Sequence, residues 1–161
     1  MAERSLSRGE VPGPWEVAGT CACFNLRKAA RAVTQVYDAA LAESGLKATQ
    51  FTVLLAASLA EGAPLSRLAD ILVMDRTTLT RNLRPLEIQG LIQTERGKDR
   101  RERLVSLSDK GRHVLDAAMP LWNRAQQTIL NGFGTDRWTA ILQELAAVVA
   151  VAQRPGQVKP P

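Results

Sequence analysis

The chain has 161 residues, of which 45% are apolar and 23% charged, enough for one domain with a real core and too apolar for global disorder. No apolar run approaches the roughly 18 residues needed to cross a bilayer, and residues 1–16 lack the apolar centre of a signal peptide, so a cytosolic protein is expected. The formal charge of +5 and a pI of about 9.8 suggest an anionic partner without identifying it.

In chain order, residues 1–16 read as a flexible N-terminal arm. Leu26, Ala30, Val33, Tyr37 and Leu41 recur at steps of four and three, which predicts one long amphipathic helix over 17–43. A second helix is predicted over 48–61, apolar on most sides and therefore buried, and Gly62 stops it. A short helix follows over 65–72. Asp75 is placed to cap the next helix and Gly90 to end it. Two strand candidates, 91–95 and 103–108, flank the segment RGKDRRE, and helix–turn–helix followed by such a hairpin is the winged-helix arrangement. Two further helices are predicted over 109–131 and 136–152, with Pro120 bending the first. They exceed what a winged helix needs, and a second copy of the chain is the simplest partner for them, with Trp122 and Trp138 in the shared core. Residues 154–161 read as a disordered tail.

The fold expected is therefore mainly α (α+β), one domain over 17–153. Residues 17–47 and 109–153 supply dimerisation helices, and residues 48–108 a winged helix-turn-helix lobe.

The segment DRTTLTRNLRPLEIQGLI, residues 75–92, carries the functional signal. At 100° per residue, Leu79, Leu83 and Leu86 lie within about 60° of one another, while Thr77, Thr80, Arg81 and Arg84 share the opposite side. That side holds no acid. Short hydroxyls beside guanidiniums suit a DNA major groove, where arginine forks onto guanine O6 and N7. Arg76 and Thr78, in the first turn, are placed to meet a phosphate, and Ser66 on the preceding helix joins the set. Pro85 deprives the Arg81 carbonyl of its N–H partner and predicts a local kink rather than a helix end. In the hairpin, Arg96, Lys98, Arg100, Arg101 and Arg103 alternate with Asp99 and Glu102, a pattern suited to the negative minor groove. Residues 75–113 hold ten Lys/Arg against six Asp/Glu, which concentrates most of the chain's excess charge there.

No cofactor or metal is expected. Cys21 and Cys23, one residue apart, would lie on different faces of one helix, and with His113 alone they cannot complete a zinc site. The sequence offers no Gly-rich phosphate loop, paired carboxylates or nucleophile-plus-histidine arrangement, so an enzyme is not expected. The rival reading is a nonspecific architectural DNA binder, with weak preference among sequences and a salt-driven affinity.

LSRLADILVMDRTTLTRNLRPLEIQGLI, the DRR at 99–101 and LVSLSDKG at 104–111 resemble the MarR (multiple antibiotic resistance regulator) family of winged-helix transcription factors, over about residues 20–153. The resemblance implies a homodimer with interlocked terminal helices and one recognition helix per subunit in successive major grooves of a pseudo-palindrome. It implies that Asp99 with Arg101 fixes an arginine in the minor groove. It further implies a repressor released from double-stranded DNA by a small aromatic, often anionic, effector. Asn25, Arg27, Lys28, Arg31, Phe51 and His113 are the candidates for holding that effector. The family also contains thiol sensors, and Cys23-Phe24 is similar to their first-helix cysteine. However, Arg27 stands where an aromatic is expected, and Tyr37 is the only tyrosine.

Overall fold

The computed structural model of the protein describes residues 11–99 and 102–154. The expected arm and tail fall mostly outside these residues. Helix α1, Pro14–Thr20, nevertheless begins inside the span read as arm, with Pro14 at its first turn, where a missing N–H costs nothing.

The single helix expected over 17–43 is two. The chain leaves helical geometry at Cys21, whose φ of −66° and ψ of 113° are extended, and resumes as α2, Ala22–Leu41, followed by one tight turn at Ala42–Ser44. Local side chains stabilise the break. Cys21 Sγ accepts the Phe24 N–H at 3.4 Å, and the Asn25 amide reaches back to the Ala18 and Cys21 carbonyls, both at 3.0 Å. The Asn25 side chain thus bridges the end of α1 to the start of α2, where the Cys21 carbonyl also accepts the Asn25 N–H at 3.1 Å, which a periodicity argument cannot foresee.

Helix α3, Ala48–Leu59, buries Phe51, Val53, Leu54, Ala56 and Ala57, as its all-round apolar sequence requires. A two-residue strand, β1 (Ala63–Pro64), leads into α4, Leu65–Leu72. The turn after α4 holds Val73 at a φ of +52°, which a β-branched side chain adopts at a steric cost.

Helix α5, Arg76–Ile88, starts at Asp75, whose carboxylate accepts the Thr78 N–H at 2.8 Å and the Thr78 hydroxyl at 2.6 Å. It runs through Pro85 without ending. It closes where Gly90, at a φ of +70°, donates to the Glu87 carbonyl and Leu91 N–H to that of Leu86. Leu79, Leu83 and Leu86 are buried, so the leucine stripe docks this helix despite its poor intrinsic propensity.

Strands β2, Ile92–Arg96, and β3, Arg103–Leu107, pair antiparallel from Ile92 opposite Leu107 to Arg96 opposite Arg103. The short β1 pairs with the other edge of β3, giving the order β1-β3-β2 among the described residues. Two residues with a proline present no period to read, so β1 left no sequence signal.

Helix α6, Asp109–Phe133, is capped by Ser108, whose hydroxyl accepts the Gly111 N–H at 2.9 Å and donates to the Gly90 carbonyl at 2.6 Å. A methyl added at Gly111 would lie 2.0 Å from the Leu91 carbonyl oxygen, so only glycine allows α6 to start this close to the end of α5. Lys110 Nζ adds a bond to the Gln89 carbonyl at 2.8 Å. Helix α7, Thr135–Ala152, contributes none of the described buried residues.

The core joins α3, α4, α5 and the sheet to Leu41, Leu115 and Ala118. Trp122, expected in a dimer core, stacks on Phe51 of the same chain with ring centroids 6.4 Å apart. Trp138 meets Phe133 edge-on at the α6–α7 corner, where the Arg137 guanidinium lies 4.2 Å over the Phe133 ring. No helix of the described residues is long and apolar enough to cross a membrane.

Candidate nucleic-acid interface

Helix α5 presents Arg76, Thr77, Thr80, Arg81 and Arg84 to solvent, opposite its buried leucines. Thr80 spends its hydroxyl proton on the Arg76 carbonyl at 2.7 Å, which leaves its oxygen as an acceptor. Thr78 is different. Its hydroxyl and N–H both serve Asp75, so it belongs to the cap more than to the outer face. Those same two bonds, the hydroxyl first, hold the Asp75 carboxyl below the ordinary aspartate value.

A polar cleft of about 250 Å³ separates the starts of α4 and α5 from the hairpin, lined by Ser66, Arg76, Asp99, Glu102 and Arg103 with Pro64 and Leu65. Ser66 and Arg76, far apart on an extended chain, are thus brought together with the hairpin. Lys98 and Asp99 are exposed on the loop, where the Asp99 carbonyl accepts the Glu102 N–H at 2.9 Å. Arg100 and Arg101 lie outside the described residues, and with them the expected Asp99–Arg101 pairing.

Arg103 makes a contact that the sequence does not announce. Its Nη2 lies 3.3 Å from Glu87 Oε1, and the same carboxylate oxygen accepts the Thr94 hydroxyl. Glu87 carries no part of the DNA-facing set read from the sequence, although it follows Leu86 in the last turn of α5. Its spacing of seven from Thr94, on the strand that folds back along α5, was the available clue.

The residues assigned to an effector do not converge. Arg27 and Arg31 line an open depression of about 500 Å³ on α2 with Ala30, Thr34 and Gln35. Lys28 is exposed, and Asn25 is occupied in the α1–α2 break. Phe51 is a core residue, 3% exposed, and His113 is an exposed side chain on α6 whose Nδ1 sits 2.7 Å from the Asp109 carbonyl. Cys21 is half-buried and Cys23 exposed, both as free thiols. Among the described residues, no group of three or more His, Cys, Asp or Glu could hold a metal ion.

Known proteins agree with this geometry. A model described as the MarR family matches residues 46–102. The HTH-type transcriptional regulator TtmR of Methylorubrum extorquens (strain PA1) is 35% identical over 91 residues, 56% of this chain, and the chain spans only 47% of that regulator's length. The Mycobacterium tuberculosis transcriptional regulator MosR, solved in complex with DNA, is 36% identical with a TM-score of 0.73, the match covering 83% of this chain and 99% of MosR. The transcriptional repressor CouR, bound to a 23-mer DNA duplex, is 27% identical with a TM-score of 0.74, covering 86% of this chain and 99% of CouR.

Proposed function

The chain belongs to the MarR family of DNA-binding transcriptional regulators, which are not enzymes, and from that premise we propose that it is a homodimeric repressor of a pseudo-palindromic operator. The observation that carries this reading is the outer face of α5. Thr77, Thr80, Arg81 and Arg84 are exposed together without an acid, beside a basic hairpin, on a helix docked from behind by leucines. In the major groove the arginines read guanine edges, the hydroxyls take phosphates or base edges, and the hairpin reaches the adjacent minor groove.

The dimer is supported by what a single chain leaves uncovered. Phe24 and Leu26 on α2 and Leu142, Leu145, Val148, Val149 and Val151 on α7 are all more than a third exposed. Apolar side chains left open on two helices in this number are unusual on a monomer, and a two-fold copy would cover them with the same residues from the partner. Two recognition helices then meet half-sites about one helical turn apart. CouR, a repressor on DNA, supports the sign of regulation. Action on the chromosome puts the protein in the cytoplasm.

Arg27 and Arg31, one turn apart beside the α2 depression, suit a small aromatic acid as the releasing effector, since two guanidiniums can share one carboxylate. A thermal-shift screen with aromatic acids tests this, because a ligand of the native state raises its melting point. The DNA reading is tested by selecting binding sites from random duplexes. Recovery of an inverted repeat supports it, and enrichment of no sequence contradicts it in favour of a nonspecific binder.

A further inference from the structure

The basic hairpin has a mechanical problem. Arg96 and Arg103 are directly opposite in the last register pair before the loop, and like charges in that position repel. Just beyond that pair, Gly97 N–H donates to the Glu102 carbonyl, so the pair stands at the base of the loop. Glu87 is the group that answers the repulsion. From the last turn of α5 its Oε1 accepts the Thr94 hydroxyl on β2 and the Arg103 guanidinium on β3. One carboxylate therefore ties the recognition helix to both strands of the hairpin, at the base of the loop. The Glu87 side chain is about one-third exposed and that of Arg103 about half, so the pair stands at the edge of the interface and not within the core.

We propose that Glu87 is a positioning residue for DNA recognition: through Thr94 and Arg103 it fixes how the two strands of the hairpin stand relative to α5, and so the spacing between the major-groove and minor-groove contacts. Arg103 then acts as the hairpin's anchor. The proposal rests on the DNA reading above.

Its sign separates it from simple electrostatics. Removing a negative charge beside DNA tightens binding through the phosphates on all sequences alike. Removing a positioning group weakens binding to the specific site, because the hairpin must then be ordered at the moment of binding. The experiment compares parent, Glu87→Gln, Arg103→Gln and the double variant on the selected site, with A·T-rich or G·C-rich flanks. Glu87→Gln is expected to weaken specific binding roughly tenfold, and the double variant to lose no more than the single ones, as for residues in contact. The preference for narrow-groove A·T flanks should shrink while the base preference set by Arg81 stays. Thr94→Val, which keeps every charge, should weaken binding in the same direction but less, and it decides the matter if Glu87→Gln lowers the melting point. Binding by Glu87→Gln that is equal or tighter on every sequence overturns the proposal, as does additivity of the two single changes. If the parent itself selects no site, or Arg81→Ala discriminates bases as well as the parent, the DNA reading has failed instead.

Discussion

Helices α5, of 13 residues, and α7, of 18, are of opposite character. Residues of α5 find their partners within the chain: three leucines sit in the core, Asp75 and Gly90 close its ends, and Glu87 holds the hairpin. Helix α7 is the more apolar of the two, yet none of its residues is fully buried. A polar helix docked by three buried leucines, and an apolar helix with no buried residue, form the contrast on which the proposed dimer rests.

The largest expected effect tests the leucine-docked side. Leu79→Ala empties a fully buried position and should cost roughly 2–5 kcal/mol, seen in urea melts at every protein concentration. Leu145→Ala on α7 should behave otherwise, lowering the melting point most at low protein concentration, because the proposed dimer is what would cover it. Equal, concentration-independent losses from both would erase the contrast. Next in size, Gly111→Ala forces a methyl against the Leu91 carbonyl and should cost roughly 1–3 kcal/mol by prising α6 from the end of α5. Thermal melts measure it. On the outer face, Arg81→Ala should leave the melting point unchanged and cost about 1–3 kcal/mol of binding at one base position, read from competition with single-base operator variants.

The smallest effect concerns the cap of α5. Thr78 holds the Asp75 carboxyl below the ordinary value of 3.8, so the folded state binds that proton less readily than the unfolded one. The cap's contribution is therefore present above about pH 4 and lost as the pH falls through the depressed value. The stability gap between the parent and Asp75→Ala should close on acidification. A gap that widens in acid contradicts the assignment.

What was legible in the sequence follows the same division. Asp75, the leucine stripe and Gly90 each act within a few residues, so local chemistry read α5 from cap to cap. The break at Cys21 escaped because the stripe from Leu26 onward continues on the helical period. Nothing in that period records that Asn25 turns back to serve two carbonyls. The strand β1 is too short to have a pattern. Arg103 is read from the sequence by its charge alone, and Glu87 has no part in that reading. Their roles depend on the hairpin folding back along α5, a tertiary fact that neither residue type reveals. Phe51 looked like a ligand-facing aromatic for the same reason, although it stacks on Trp122 in the core.

The most direct test places both halves of the molecule on one piece of DNA. The selected inverted repeat is lengthened between its half-sites by about five base pairs, half a helical turn. A two-fold dimer held together by its terminal helices cannot then seat both copies of α5 on the same side of the duplex. Binding should fall to that of a single half-site, with a return when about ten base pairs are inserted only if the dimer can span the added length. Undiminished affinity after the half-turn insertion would contradict a dimer that reads two grooves through paired α5 helices.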